Sequence, residues 1–478
     1  MRATFAAICA VAMLAGGLFV SGSATADPAE MFQSVPSGRY PIDLDTSPDG
    51  AHLAVISRGD GGTADLRIYE TVGMTQVSQI DFGPAASFNP TAVEFSPDGA
   101  QLWVSFYTPG EVRVYDAAAV IAGTPTVPVV LTGGGGFVDL AAGAAGRYMY
   151  AATLFNPQYQ FSIANPAATP RTFSAPSGSR GVASNSDGSQ IFFTVASRAV
   201  DGGGVLAVSV AADGTLTPDA TVTPTGDVPW GVAFSAAEGR VVSSNSGTPT
   251  SVSGFNPGDP SSVRTVALPC GPRLLNASPS GTRIFVACLT GGIAVVNYVT
   301  NSVPLFDAGG NIESVETYGP VGGDSQRVYA TSGATDEVLV FTKPTIAPIP
   351  AQTVREGGSV TFSTTVKDFW QTLQWQSSSD GGSTWTDIAA ADRESLTVDA
   401  PLSANGMQYR LVARSAFFDD VVSSPIVLTV TPTPVPPMPA NPALAATGVE
   451  LPSGMLLGVA LMVLGFAAVT IRSRRRAS

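Results

Sequence analysis

Tyr40-Pro41-Ile42-Asp43-Leu44-Asp45-Thr46-Ser47-Pro48-Asp49-Gly50, followed by Leu53-Ala54-Val55-Ile56, finds a second copy further along the chain. There it reads Asn89-Pro90-Thr91-Ala92-Val93-Glu94-Phe95-Ser96-Pro97-Asp98-Gly99, followed by Leu102-Trp103-Val104-Ser105. Each copy runs on into a third stretch that ends in an aromatic, Leu66-Arg67-Ile68-Tyr69 and Val112-Arg113-Val114-Tyr115. The template is a strand, a tight turn, a second strand and a third. Asp and Gly tolerate the positive φ that tight hairpins require, and Pro presets the first dihedral. The flanking strands alternate or are wholly apolar, as expected of sheets covered on both faces.

Weaker copies place turns at Ala145-Gly146, Asp187-Gly188, Glu238-Gly239, Ser280-Gly281 and Asp324-Ser325, at steps of 42 to 51 residues. Seven repeats of strands alone, with a period in the forties, predict a seven-bladed β-propeller. A fourth strand per blade fits Gln76–Phe82, Pro128–Leu131, Arg171–Ser174, Ala220–Thr223, Val263–Leu268 and Ser302–Phe306. The seventh repeat has none after Val338–Phe341, while Met31–Val35 is left over ahead of the first. This segment is expected to complete blade seven and close the ring, which removes raw sheet edges. Blade six carries Tyr298-Val299-Thr300-Asn301 after Gly292–Asn297. It resembles the YVTN family of propeller repeats, found in surface-layer proteins and related to lactonase-like propellers. The resemblance covers about 31–343, with blades one, two and six matching best. It implies the fold and says little of function, because propellers host unrelated activities.

The two ends read as addresses rather than fold. Arg2, the apolar run Phe5–Val20 and the small residues Ala24-Thr25-Ala26 predict a signal peptide over 1–26. At the other end, Leu444-Ala445-Ala446-Thr447-Gly448 precedes an apolar run over 451–471 and a basic tail, Arg472 to Arg476. This resembles the sorting signal of sortase substrates, in the Leu-Ala-x-Thr-Gly form of actinobacterial class E enzymes. The resemblance implies cleavage after Thr447 and attachment to peptidoglycan. The 21-residue run is also long enough to stay as a C-terminal transmembrane helix. Without both ends, 19 basic residues face 36 acidic ones, a net charge of −17. Such a surface argues against nucleic acid and anionic lipid as partners.

Between propeller (27–343) and tail, a Pro-rich linker is expected at 344–350, then a second all-β domain at 351–431. Its strands are expected at Val360–Thr364, Leu373–Gln376, Leu396–Val398, Tyr409–Ala413 and Ile426–Val430. Gln374-Trp375-Gln376 with Asp380–Ile388, and Asn405–Tyr409 further on, resemble a bacterial immunoglobulin-like β-sandwich. That resemblance implies Trp375 in the core, a tyrosine corner near Tyr409, and a spacer or adhesion role. A Pro/Thr-rich linker follows at 432–443.

Chemistry-bearing residues are few. Cys9 falls in the signal peptide, leaving Cys270 and Cys288, which flank one hairpin of blade six and suit a disulfide. His52 is the single histidine, so a His metal cluster is not available, and its place two residues past the first turn reads as surface. No cofactor loop is present. Arg58-Gly59-Asp60 is a weak match to an adhesion tripeptide, and Asp60–Asp65 lacks regular Ca²⁺ spacing. The best candidate site is the channel mouth, where the opening residues of the first strands would gather Asp43, Asp139, Arg180, Trp230, Arg273 and Glu313. Three readings follow: a wall-anchored binding protein for a glycan or protein ligand, a surface lactonase-like or glycan-cleaving hydrolase using the channel acids, and a structural wall component. The absence of a catalytic set favours the first.

Overall fold

The turn at Ser47–Gly50 is built by its own side chains. Ser47 Oγ donates to Asp49 Oδ1 (2.6 Å), which also accepts the Ala51 N–H (3.0 Å), while Ser47 Oγ accepts the His52 N–H (2.9 Å). Gly50 takes the φ of +70° that closes the turn. Ser96, Asp98 and Gly99 repeat this set, and Asn185, Asp187 and Gly188 reproduce it with an amide in place of the first hydroxyl.

These turns join strands into seven successive antiparallel sheets in a computed structural model that describes residues 32–133, 136–196, 203–298, 300–320 and 322–436. The segments expected to be a signal peptide (1–26), a sorting signal (444–448) and a membrane-spanning run (451–471) lie outside the described residues. No helix among the described residues is long and apolar enough to cross a membrane. The inner strands are Pro41–Thr46, Asn89–Phe95, Phe137–Ala142, Val182–Ser184, Pro229–Ser235, Pro272–Ala277 and Val315–Tyr318. Each lies beside the next, and the seventh lies beside the first, so the ring is closed. The seventh sheet takes Gln33–Pro36 as its outer strand, antiparallel to Glu337–Thr342. The core is divided among the seams between blades. Ile56, Leu66, Val93 and Phe106 fill the first seam, and Leu53, Val55, Tyr329 and Val340 fill the seam that closes the ring.

Blade four departs from expectation. Its outer edge is not one strand over Ala220–Thr223 but two short ones, Leu216–Pro218 and Thr223–Pro224, both paired with Gly204–Val210. Pro218 and Pro224 have no N–H to continue a ladder, so the edge is interrupted. In blade six, Cys270 and Cys288 form a disulfide with their Cα atoms 5.7 Å apart.

The segment expected as a linker, 344–350, is partly strand: Thr345–Ile346 pairs with Val366–Lys367. Beyond it, Gly358–Ser363 pairs with Ser395–Ala400, and Thr372–Ser378, Gln408–Arg414 and Ile426–Thr431 build a second sheet. Val360, Phe362 and Leu396 of one sheet meet Trp375, Leu411 and Leu428 of the other. Trp375 is fully buried, and its indole N–H donates to the Arg393 carbonyl (2.8 Å). No separate spacer holds this sandwich off the propeller. Phe369, Phe417 and Phe418 enter the core between blades six and seven, against Phe285 and Phe341. Phe417 lies 4.8 Å from Phe341 and 5.7 Å from Phe306, ring centroid to centroid. Polar ties surround the aromatics: Arg283 bridges Asp324 and Asp419, and Lys343 also pairs with Asp324 (2.9 Å).

Candidate functional site

All seven inner strands run the same way along the channel, so their first residues line one mouth and their last residues line the other. The first mouth is a cavity of about 370 Å³ lined by Ile42, Thr91, Val138, Arg180, Trp230, Arg273 and Glu313, one from each blade, together with Arg58, Asn89, Tyr107 and Leu154. The second, of about 350 Å³, is lined by Asp43, Asp45, Glu94, Asp139, Asn276 and Glu316 among others.

The six candidate residues therefore do not form one cluster. Arg180, Trp230, Arg273 and Glu313 share the first mouth, whereas Asp43 and Asp139 belong to the second. The cause is an offset of one residue: Asp43 and Asp139 stand one position further along their inner strands than Arg180, Trp230, Arg273 and Glu313 do on theirs. The pairing of the first two strands slips between Pro41 and Asp43, between Phe137 and Asp139, and at the same place in blades two, five and six. Such a bulge re-aims the residue beside it. The true equivalents of Arg180 and Trp230 in blades one and three are Ile42 and Val138. Second-strand hydroxyls satisfy the backbone at this step in three blades. Thr194, Ser244 and Thr331 accept the N–H groups of Gly181, Gly231 and Ser314 at 2.8 to 3.0 Å.

At the first mouth the cations are held by aromatic faces. The Trp230 ring lies 3.8 Å from the Arg273 guanidinium carbon and 4.7 Å from that of Arg180. Arg273 also pairs with Glu313 (3.3 Å), and the Tyr40 hydroxyl donates to the other Glu313 oxygen (3.0 Å). Tyr40 adopts a φ of +54°, unusual for a bulky side chain, with its N–H on Asp336 Oδ1 (2.8 Å). Burial and the neighbouring Glu313 raise its hydroxyl above the ordinary tyrosine value. Arg58 lies 4.3 Å over the Tyr40 ring and is clamped by Asp60 at 2.8 and 2.9 Å. The Arg58-Gly59-Asp60 tripeptide thus spends its two charges on each other. Asp65 pairs with Arg67 two residues on along the same strand (3.0 Å), and His52 is half-buried where its strand begins.

The second mouth is acidic, and its carboxylates bind backbone. Asp43 accepts the Val93 N–H (2.9 Å) and the Ser314 hydroxyl (2.8 Å), and Asp45 accepts the Phe95 N–H (2.6 Å). Glu94 accepts the Ala142 N–H (3.1 Å) and Asp139 the Val182 N–H (2.8 Å). Each reaches from one blade to the channel-facing edge of the next, where a strand would otherwise show unpaired donors. Glu316 takes a hydrogen bond from the Asn276 amide. Burial pushes Asp43 up to about 6 and Asp45 up to about 7, and raises Glu94, Asp139 and Glu316 well above the carboxylate range. Among the described residues no three His, Cys, Asp or Glu side chains are grouped to hold a metal.

Sequence reasoning missed Tyr40, Arg58 and Tyr107 at the first mouth and Asp45, Glu94 and Glu316 at the second. The acids were visible in the repeat itself, since Asp45 and Glu94 alternate with apolar residues on a strand.

Comparison with known proteins supports the fold. A protein-family model described as a domain of unknown function (DUF8696) matches residues 346–432, the sandwich. No curated protein matches this sequence. Among solved structures, hydrazine synthase of Kuenenia stuttgartiensis is similar over 65% of this chain and 97% of its own, at 14% identity and a TM-score of 0.54. The Cps50 (Swd1) β-propeller domain of Myceliophteria thermophila is similar over 66% of this chain and all of its own (100%), at 10% identity and a TM-score of 0.53. At such identities the likeness concerns the fold alone: the ring is a β-propeller.

Proposed function

We propose that this chain is an exported, wall-anchored binding protein that presents the first mouth of its propeller to a small polar ligand outside the cell. The observation that carries the reading is the convergence of Arg58, Arg180, Trp230 and Arg273 on one cavity in a strongly acidic chain. Stacked guanidiniums are preorganised, so little freedom is lost when a ligand docks. The carboxylates that a hydrolase would need are committed elsewhere. Asp43 and Asp139 cap backbone edges at the far mouth, and Glu313 is engaged by Arg273 and Tyr40. The resemblances to YVTN repeats, to an immunoglobulin-like sandwich and to a sortase signal at Leu444–Gly448 agree with surface display. In this reading the sandwich is a firm base for the propeller, and peptidoglycan is the partner at Thr447.

Two measurements test the reading. Mass spectrometry of wall digests should find a peptide that ends at Thr447 joined to a peptidoglycan fragment. A screen of small polar ligands and glycans by ligand-observed NMR should yield binders that Trp230→Ala weakens at least tenfold. A protein recovered only from the cytoplasm would sink the localisation. Binders indifferent to Trp230→Ala would sink the site.

A further inference from the structure

We infer that the loop Thr124-Pro125-Thr126-Val127-Pro128 of blade two is a modification site, where Thr124 and Thr126 carry O-linked sugars that shield the outer edge of the propeller. The inference rests on the export part of the reading above and is independent of the first mouth. It begins with the outer strands of the seven blades. Each leaves a row of backbone groups open to pairing with another chain.

In six blades the edge carries its own protection. Thr75–Pro84 of blade one contains Asp81, Arg171–Phe173 of blade three contains Arg171, and Asp259–Ala267 of blade five contains Asp259 and Arg264. Prolines split the edge of blade four, and the edge of blade six is only Leu305–Phe306, beside Asp307. The closing strand of blade seven exposes the polar Gln33 and Ser34 and ends in Pro36. Charge, proline and short length are the devices that keep edges from pairing. Blade two has none of them within its edge strand, which reads Val129-Val130-Leu131-Thr132. Pro128 stands just outside it, and no charged side chain lies between Asp116 and Asp139. Val129 and Val130 are 40% and 47% exposed, and Val127 is 94% exposed.

The segment that leads into this edge has the composition of a sugar acceptor. Thr124 to Pro128 lies outside helix and strand, and Thr124, Pro125, Thr126 and Val127 are all exposed. Proline holds the residue before it extended, so Thr124 and Val127 present the loop much as an unfolded peptide would. Threonine with proline in such exposed chain is the pattern of O-glycosylated segments. Ser47 and Ser96 also precede proline, but both are buried and donate to Asp49 and Asp98. A similar order returns at Thr431-Pro432-Thr433-Pro434-Val435-Pro436, where Thr431 donates to the Val354 carbonyl (3.3 Å). Thr169-Pro170 and Thr217-Pro218 are further exposed threonines before proline, at edges that Arg171 and the two prolines already guard. In blade two an acceptor and an unguarded edge coincide.

The transfer joins the threonine Oγ to the anomeric carbon of a glycosyl phosphate donor. The bond from that carbon to the phosphate oxygen breaks, the phosphate leaves with the electron pair, and the hydroxyl proton passes to a base of the transferase. The product is bulky and hydrated. A second strand must come within about 4.8 Å to pair, and a sugar three residues ahead of Val129 stands in that approach.

The test takes full-length protein from the wall fraction of cells that make it and reads the tryptic peptide 114–147 by electron-transfer mass spectrometry. That peptide should carry whole sugar residues on Thr124 and Thr126, and the double variant Thr124→Ala with Thr126→Ala should lose them. Peptides that hold Ser47 and Ser96 should be bare. The double variant, shown to be folded by its thermal melt, should form more dimers and larger species in light scattering than the wild type. Adding Val130→Lys should reverse that increase. A bare loop in wall-fraction protein would overturn the inference and leave export and the first mouth standing. Bare protein found only in the cytoplasm would overturn both. Sugars spread alike over the exposed Ser and Thr of every blade would overturn the assignment to this loop. Equal self-association of wild type and double variant would overturn the shielding.

Discussion

Asp43 looks like a catalytic acid in the sequence and serves as a structural acceptor in the fold. It is buried, it receives the Val93 N–H and the Ser314 hydroxyl, and burial holds its carboxyl near 6. A carboxyl whose folded value exceeds its unfolded one binds a proton more readily when folded. The stability tied to that proton is complete below about pH 4 and is lost as pH rises through 6. Asp45, held near 7, extends the loss toward neutrality. Melting temperature should therefore fall between pH 5 and pH 8. A carboxyl held near 6 rather than 3.8 withholds on the order of 3 kcal/mol once ionised. Asp43→Asn keeps an oxygen for Val93 and removes the proton equilibrium, so its melting profile should be flatter over this range. A profile as steep as the wild type's would show that Asp43 does not titrate there. Counted back from the turn, Asp43 stands four residues before Ser47 whereas Arg180 stands five before Asn185, so their offset was legible in the sequence; blade seven, whose turn at Asp324-Ser325 lies further from its first strand, gives no such count for Glu313.

The same turn performs different work in different blades. Gly50 and Gly99 share a φ near +70°, so replacing either with Ala costs the left-handed penalty, roughly 1 kcal/mol. Their surroundings differ. A Cβ on Gly50 would lie 1.9 Å from the Tyr318 ring of blade seven, whereas one on Gly99 would meet Pro48 at 3.6 Å, ordinary van der Waals contact. Tyr318 also donates its hydroxyl to the Asp49 carbonyl (3.2 Å), which ties the first turn to the last blade. Gly50→Ala should therefore destabilise the protein more than Gly99→Ala in urea denaturation, by at least another 1 kcal/mol. Equal costs would mean that the closing seam yields freely at Tyr318. The strands themselves were legible because the turns punctuate them: Ser, Pro, Asp and Gly at fixed offsets set where each hairpin reverses. Blade four's outer edge was not, because two prolines split a stretch whose composition still reads as one strand.

At the scale of the whole molecule, the sequence separates propeller from sandwich by a Pro-rich segment, and the fold joins them. Periodicity announces each domain but carries no sign of which aromatics will leave one core for another. Phe369, Phe417 and Phe418 sit in loops and strand ends of the sandwich, where a sequence pattern predicts exposure, yet all three are fully buried among the residues of blades six and seven. Phe32, just ahead of the closing strand, packs on Phe306 and Phe341 in the same cluster, with centroids 5.9 and 5.1 Å away. The sandwich thus supports the seam where the chain's first strand meets its last blade. Phe417→Ala should cost about 3–5 kcal/mol, the usual loss for a buried phenylalanine. Because one cluster serves both domains, that loss should lower the melting of propeller and sandwich together, as a single calorimetric transition. Removing everything after Lys343 strips Phe341 and Phe306 of their cover and should leave a propeller that melts lower and binds a hydrophobic dye. If Phe417→Ala instead shifts one of two separate transitions and leaves the other in place, the sandwich hangs from the propeller as an independent module, and the firm base assigned to it is wrong.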